Sequence, residues 1–212
     1  PFDYSTNETS KKKLNRNNNN VNVNKAILTT SLYPNVVKVE TPPKKYIQAA
    51  EGTIALDFSS KDIKYWIKNV AEYRNLNEYS PSNKMRSPRK TRVFFHPSST
   101  QFQPNAKFSS YPPYMMYRES RETSKLYLLD ITPTNTSSML LFGGRLLYSA
   151  KNLSTIVIDD WLLVNGIPKQ IVLMKYLRGV LDKIINNRLD DPTSDDYEDI
   201  LTLIEKLLAM PN

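Results

Sequence analysis

The sequence Arg92-Val93-Phe94-Phe95-His96-Pro97-Ser98-Ser99 opens the region that decides the fold, because strand-forming residues run directly into a turn. Further short apolar segments follow at close intervals, and we interpret each as a strand: 114–118, 125–129, 138–142, 145–148, 155–158 and 161–164. Polar residues or Gly and Pro separate most of them, and no long helical pattern lies between them. Closely spaced strands of this kind predict a small antiparallel barrel or sandwich.

Two helices are predicted after the strands. The first has an apolar stripe at helical spacing, formed by Leu173, Leu177, Val180, Leu181 and Ile184. Asp190-Asp191-Pro192 interrupts the pattern, and a second helix begins near Ser194 with acidic residues in its first turn. The predicted fold class is therefore mainly β with C-terminal helices (α+β), in which a small antiparallel barrel carries a long insert and a terminal helical pair.

The N-terminal part divides into three kinds of sequence. Residues 1–24 are polar and rich in Lys and Asn, which predicts a linker or the end of a preceding domain in a longer chain. A short helical stretch and the strand 36–39 then begin the barrel, which we place at 25–165, followed by the helices at 166–212. Within the insert at 41–92, residues 53–58 alternate like a half-buried strand, whereas 63–73 fit either a helical stripe or a strand.

Composition excludes several classes of active site. The 212 residues include no Cys and one His, so a cysteine nucleophile, a Cys-based zinc site and a multi-histidine metal site are absent. The five Gly do not form a phosphate-binding loop. We expect no catalytic residue, metal or cofactor in this chain, and no apolar run is long enough to cross a membrane.

Positive charge is concentrated in the first part of the chain. The formal net charge is +8, and residues 1–130 carry 21 Lys and Arg against 11 Asp and Glu. The density peaks at a basic cluster that consists of Lys84, Arg86, Arg89, Lys90 and Arg92. Such a cluster can neutralise phosphates, or it can be a solvated loop, and Ser87-Pro88 within it fits the second interpretation.

Several strings resemble the C-terminal OB-fold (oligonucleotide/oligosaccharide-binding) region of the DExH-box (DEAH/RHA-type) RNA helicases. They occur in the family's order over about residues 25–186: Ala26 to Leu28, Leu32 to Val36, Val93 to Ser99, Thr123-Ser124, Tyr127-Leu128, Asp130 to Thr132, Leu140 to Gly144, Asp159 to Trp161 and Leu177 to Asp182. Each string is weak alone, but their order and spacing make the resemblance fairly specific.

The resemblance implies an accessory domain of an ATP-dependent RNA helicase. In that family, RecA-like domains that bind ATP and Mg²⁺, a winged helix and a ratchet domain precede the OB fold. The implied function is to hold single-stranded RNA and restrain the helicase core, in a cytoplasmic protein linked to translation, with a nuclear location left open. The alternative is a docking platform for a helicase cofactor or a ribosomal surface.

The resemblance also carries over individual RNA-facing residues. His96, Ser98 and Ser99 match the family's His-Pro-Ser-Ser turn, and the alternative is a turn held by local hydrogen bonds. Thr123 and Ser124 match a Thr-Ser element whose hydroxyl groups can bind phosphate.

The sequence departs from the family's pattern beside this element. Glu122 stands where Lys is common and would repel phosphate, and Leu129 stands where Arg is frequent. Nearby cations offset these departures, and we include them in the candidate set: Arg118, Arg121 and Lys125.

Other conspicuous residues have a structural interpretation. Gly143-Gly144 is expected to allow a positive φ or a close backbone approach at the end of a strand. Asp159-Asp160 is expected to form a turn rather than an acid–base or metal site. Trp161 and Tyr127 are expected in the core rather than as base-stacking residues.

Overall fold

The computed structural model describes residues 11–12, 15–50, 52–69, 90–148, 154–191 and 197–210. The helices in these ranges are α1 (Val21–Leu32), α2 (Thr136–Phe142), α3 (Pro168–Asp190) and α4 (Glu198–Ala209), with a 3-10 turn at Ser60–Asp62. The strands are β1 (Val36–Glu40), β2 (Tyr46–Ala49), β3 (Gly52–Ala55), β4 (Phe58–Ser59), β5 (Lys64–Lys68), β6 (Lys90–Phe95), β7 (Lys107–Phe108), β8 (Tyr114–Glu122), β9 (Leu126–Thr134), β10 (Leu146–Tyr148), β11 (Thr155–Ile158) and β12 (Leu162–Asn165).

Five strands form a closed barrel in the order β1-β5-β6-β9-β8. Four of its pairings are antiparallel, and β6 pairs with β9 in parallel. Counted along the chain, β1, β5, β6, β8 and β9 are barrel strands one to five. A five-stranded barrel with this connectivity is an OB fold, so the predicted fold class is confirmed.

Two separate cores stabilise the chain. The barrel interior is filled by buried residues that include Val37, Val93 and Leu128. A larger core lies outside the barrel, where α1 to α4 and the sheet β10-β11-β12 pack together around Met139, Ile158 and other apolar side chains. Because neighbouring strand residues point to opposite faces, Met115 faces the first core and Met116 the second.

The predicted strand over 138–142 is wrong, because these residues belong to helix α2. Asn135 caps this helix, since its Oδ1 accepts a hydrogen bond of 2.6 Å from the backbone N–H of Ser138. Three consecutive apolar residues of the helix, Met139 to Leu141, are buried in the second core. A short helix that is buried all round gives the same continuous apolar run as a buried strand.

The insert also differs from prediction. A strand does form within 53–58, but it is shorter than predicted and not half-buried: β3 is exposed along its whole length and pairs with β2 in a hairpin. Of the two interpretations of 63–73, the strand is correct for Lys64–Lys68, which is β5. Val70 and Tyr73 lie outside the described residues.

The helical parts match the pattern with shifts. In α3, Leu177, Leu181 and Ile184 are buried as predicted, whereas Leu173 is exposed and the neighbouring Met174 is buried in its place. Helix α1 begins at Val21, inside the polar 1–24 segment, because Asn20 caps it by accepting a bond from the N–H of Val23. Helix α4 begins at Glu198, and residues 192–196, including Ser194, lie outside the described part of the chain.

Asp159 links barrel strand β5 to the sheet β10-β11-β12. Its carboxylate accepts one hydrogen bond from the Tyr33 hydroxyl group and another, of 2.6 Å, from the backbone N–H of Arg145. Its carbonyl accepts a 2.8 Å bond from Lys68, at the end of barrel strand β5. A Cβ at Gly144 would lie 1.9 Å from this carboxylate, so the glycine permits the close approach. The expected roles of Asp159-Asp160 as a turn and of Gly143-Gly144 in close packing are confirmed.

Candidate nucleic-acid interface

The outer surface of the barrel combines aromatic rings and cations. Along β6, Val93 and Phe95 are buried in the barrel, so Lys90, Arg92 and Phe94 point outward. The register pairs Arg92 with Trp66 on β5 and Phe94 with Tyr127 on β9. We call this surface the aromatic–cation face, and it consists of Lys64, Trp66, Lys90, Arg92, Phe94, Lys125 and Tyr127.

The cations of this face lie against its rings. Lys90 Nζ is 4.3 Å from the centre of the Trp66 ring, and Lys125 Nζ is 4.6 Å from the centre of the Phe94 ring. The Arg92 guanidinium carbon lies 5.5 Å from both the Trp66 and Phe94 ring centres. These distances are typical of cation–π contacts, which hold long side chains over the surface.

The electrostatics of the face are dominated by its cations. Burial lowers the pKa of Arg92 from its ordinary value, although the group remains charged at neutral pH. Glu40 accepts a 2.7 Å bond from the Trp66 indole N–H and lies 3.6 Å from Lys90. Partial burial raises the pKa of Glu40, but the Trp66 bond and the charges of Lys90 and Lys64 outweigh it, so the pKa is lowered.

A wide cleft of about 850 Å³ adjoins the face at the base of the β2–β3 hairpin. Its lining includes six cations and three carboxylates, and the carboxylates are Glu40, Asp57 and Asp62. The cations are Lys44, Lys45, Lys61, Lys64, Arg92 and Lys107. Positive charge therefore continues from the face into the connection between the first two barrel strands, where OB folds contact oligonucleotides.

A narrower cleft of about 390 Å³ lies on the other side of Arg92. Phe94 and Tyr127 line it from the strands, and Phe102 and Pro104 line it from the connection between β6 and β8. We call it the aromatic cleft. Tyr127 contacts Phe94 and His96 rather than the core, so its predicted core position is wrong, whereas the predicted packing of Trp161 against the second core is confirmed.

The His96 turn is held by local hydrogen bonds. His96 Nδ1 lies 2.7 Å from Ser98 Oγ and accepts a 3.2 Å bond from the Ser98 backbone N–H. Ser99 Oγ accepts a bond from the N–H of Gln101. The ring of His96 also packs edge-on against Tyr127. The turn therefore has the local hydrogen bonds that the alternative interpretation predicts. It also lies beside the aromatic–cation face, through the contact with Tyr127.

The Thr-Ser element forms the tip of the β8–β9 hairpin. Thr123 and Ser124 are exposed there, and the Thr123 N–H donates to the Lys125 carbonyl. The two arginines of the candidate set are on β8 and form ion pairs, Arg118 with Asp130 at 3.4 Å and Arg121 with Glu119 at 3.0 Å. Of the three offsetting cations, Lys125 is the one that lies against the aromatic–cation face.

The basic cluster is only partly described. Lys84, Arg86 and Arg89 lie outside the described residues, whereas Lys90 and Arg92 are on β6. Sequence analysis did not single out Trp66, Phe94 or Phe102. Trp66 and Phe94 could have been found from the outward-facing residues 90, 92 and 94, which are two cations and an aromatic residue. This signal includes Trp66 only when β5 is assigned as a strand that pairs with β6.

Two further features concern the described residues alone. They contain no group of three or more His, Cys, Asp or Glu side chains arranged to hold a metal ion. None of their helices combines the length and the apolar character needed to cross a membrane.

Comparison with known proteins agrees with the barrel. The oligonucleotide/oligosaccharide-binding (OB)-fold family model matches residues 24–146, and the chain belongs to this family. A Saccharomyces cerevisiae protein that carries the provisional name of an ATP-dependent RNA helicase is 32% identical over an alignment that covers 99% of this chain.

Two other relatives bear helicase names. A DExH-box ATP-dependent RNA helicase of Arabidopsis thaliana is 31% identical over 49% of this chain and 10% of its own length. A mouse ATP-dependent DNA/RNA helicase is 22% identical over 88% of this chain and 15% of its own length. This chain spans 17% of the length of the yeast relative. It is therefore an OB-fold domain of the kind found in DExH-box RNA helicases.

Proposed function

We propose that this domain binds and holds single-stranded RNA as an accessory part of an ATP-dependent DExH-box RNA helicase, and that it restrains the helicase core. The aromatic–cation face is the observation that carries the proposal. Lys90, Arg92 and Lys125 can neutralise phosphates, while Trp66 and Phe94 offer ring faces for unpaired bases. In a duplex the bases are stacked on each other, so this combination favours a single strand.

The position of the face in the barrel supports the same ligand. Barrel strands two and three and the connection between strands four and five form the usual oligonucleotide surface of OB folds. Here these are β5, β6 and the turn at 123–125. Thr123 and Ser124 would donate hydroxyl groups to phosphates, and His96, Ser98 and Ser99 would border the strand beside Tyr127.

The remaining candidate cations have different expected weights. Arg118 and Arg121 would contribute less than Lys125, because a carboxylate already pairs with each of them. Lys84, Arg86 and Arg89 would extend the basic path from the start of β6.

The catalytic parts would lie elsewhere in a longer chain. Because this chain spans 17% of the yeast relative, most of such a helicase would be outside it. We expect upstream RecA-like domains to bind ATP and Mg²⁺ and to contact this domain together with a ratchet domain. A cytoplasmic location and a link to translation remain predictions.

Fluorescence anisotropy with a labelled single-stranded RNA at several salt concentrations tests RNA binding. We expect saturable binding whose affinity falls steeply with salt, because phosphate contacts release counterions. A folded chain that leaves the anisotropy unchanged at low salt would contradict RNA binding by this domain on its own.

A second function, docking to a protein surface such as a ribosome or a helicase cofactor, is favoured by the β2–β3 hairpin. Ile47 and Ile54 face each other across its strands and are 48% and 54% exposed. Aliphatic side chains have no ring face for bases, so this exposed pair suits a protein better than RNA.

Replacing Ile47 and Ile54 by Ser tests the docking function. We expect weaker co-sedimentation with purified ribosomes and unchanged RNA affinity, because neither isoleucine belongs to the aromatic–cation face or lines the wide cleft. Unchanged co-sedimentation, with wild-type binding in the measurable range, would argue against ribosome docking through the hairpin.

A further inference from the structure

The aromatic cleft differs from the open face beside it. It is a partly open cleft of about 390 Å³, within the range of roughly 300–1,000 Å³ that pockets for small molecules occupy. This space suits one planar heterocycle with part of its sugar, and it is too small for a run of nucleotides. Phe102 is 40% exposed at the cleft, so an apolar ring meets solvent there in the free chain.

We infer that the aromatic cleft takes up one unstacked base of a single strand bound on the aromatic–cation face. The inference rests on the proposed RNA binding. It adds a defined position at which one base of the bound strand turns into the cleft. Rings from separate parts of the chain, Phe94 and Tyr127 from the strands and Phe102 from the β6–β8 connection, supply its apolar surface. Base–aromatic stacking is tolerant of sequence, because every base has a π face.

The cleft is continuous with the face. Arg92, Phe94, Lys125 and Tyr127 belong to both, so a backbone that runs along β6 passes the cleft. Lys125 places a cation against Phe94, where it can hold the phosphate of a nucleotide whose base has turned inward. An apolar peptide would use the rings but not these cations, which is why a nucleotide is the favoured occupant.

Polar groups beneath the cleft fit the edge of a base. Ser60 Oγ and Arg92 Nη1 are buried and make no hydrogen bond to another described residue. Both residues line the cleft, so a base bound there would lie next to them. A base edge would then satisfy groups whose burial without a partner is unfavourable. Arginine donates only, and serine donates or accepts, so base oxygens and ring nitrogens are suitable partners.

Abasic substitution tests the inference without removing any phosphate. The shortest RNA that still binds with full affinity is used, so that the strand cannot shift along the face to avoid an abasic position. Each version of this RNA lacks one base. Besides any position whose base stacks on Trp66, we expect one position, that of the base in the cleft, at which loss of the base weakens binding by about five- to 150-fold, the range for one stacked base. The slope of affinity against salt should stay the same, because every phosphate remains.

Phe102→Ala identifies the cleft as the place where that base binds. We expect this variant to bind the intact RNA more weakly and to lose the sensitive position, with an unchanged salt slope. Tyr176→Ala is the matched control, because Tyr176 is an exposed aromatic residue (64%) on α3, outside the aromatic–cation face and both clefts. It should behave like the wild-type chain.

The outcomes separate the inference from the proposed function. If the intact RNA binds with a steep salt slope but no abasic position matters, the cleft takes no base and RNA binding stands. If Phe102→Ala keeps every position that is sensitive in the wild-type chain, the inference is also overturned, because all of these bases are then held elsewhere. If no RNA binds at any salt concentration, the proposed function fails and the inference falls with it.

Discussion

Removing three lysines from the aromatic–cation face should change the salt dependence of RNA binding by a predictable amount. The substitutions are Lys64→Ala, Lys90→Ala and Lys125→Ala. All three side chains are exposed, on or next to β5, β6 and β9. Their loss removes charge without opening a cavity, so we expect the barrel to remain folded.

The magnitude follows from counterion release. For single strands, each phosphate contact contributes about −0.7 to the slope of log affinity against log salt concentration. If each lysine holds one phosphate, the triple variant should have a slope about 2 units less steep than the wild-type chain. Fluorescence anisotropy at four or more salt concentrations measures this difference, and circular dichroism checks the fold.

A control with the same charge change separates local contacts from net charge. Lys169, Lys183 and Lys206 are exposed on α3 and α4, and their replacement by Ala lowers the net charge equally. We expect this control to keep nearly the whole wild-type slope. Equal slopes for the two triple variants would refute the proposed phosphate path, because RNA would then respond to the overall field rather than to this face.

Two further predictions concern stability and pH. Gly144→Ala should destabilise the fold by about 1–3 kcal/mol in urea denaturation, because the new Cβ would displace the Asp159 carboxylate from its hydrogen bonds. Gly179→Ala in α3 should stabilise the fold by up to about 1 kcal/mol, because a Cβ added there meets no atom within 4 Å outside the backbone of its own helix and its chain neighbours. Similar effects of the two would contradict the packing argument. Because the pKa of Glu40 is lowered in the folded chain, its contribution to stability should be complete above about pH 4.5 and disappear as the pH falls through the folded pKa. The indole N–H resonance of Trp66, which donates to Glu40, should titrate with a midpoint below 4.5, and a midpoint above that value would contradict the assignment.

Four of the five barrel strands were predictable because their signals are local, whereas β5 was left open between helix and strand. Alternation of apolar and polar residues and the turns between segments indicated strands near 36–39, 92–95, 114–118 and 125–129, and each is confirmed with small shifts. The strand over 138–142 was wrong because a short helix that is buried all round has no polar face to reveal its period. The helix cap at Asn135 was the missed local signal.

The candidate site was only partly predictable. The candidate residues, from His96 and Thr123 to Lys90 and Arg92, were chosen by motif, resemblance or charge, and their contacts with RNA remain proposals. Trp66 and Phe94 were missed because their significance depends on pairing between β5 and β6. That pairing joins Trp66 to Arg92, which are far apart along the chain, and the intervening sequence carries no local sign of it.

The sequence by itself determined where positive charge is concentrated, which residue types such as Cys are lacking, and, for most elements, which segments can form strands and helices. These properties depend on residue type and on neighbours a few positions away. Only the tertiary structure decided that β6 closes the barrel against β9, that Arg92 lies between Trp66 and Phe94, and that Phe102 reaches the same cleft as Tyr127. Strand register and loop packing set these contacts, because they bring together side chains that are far apart along the chain.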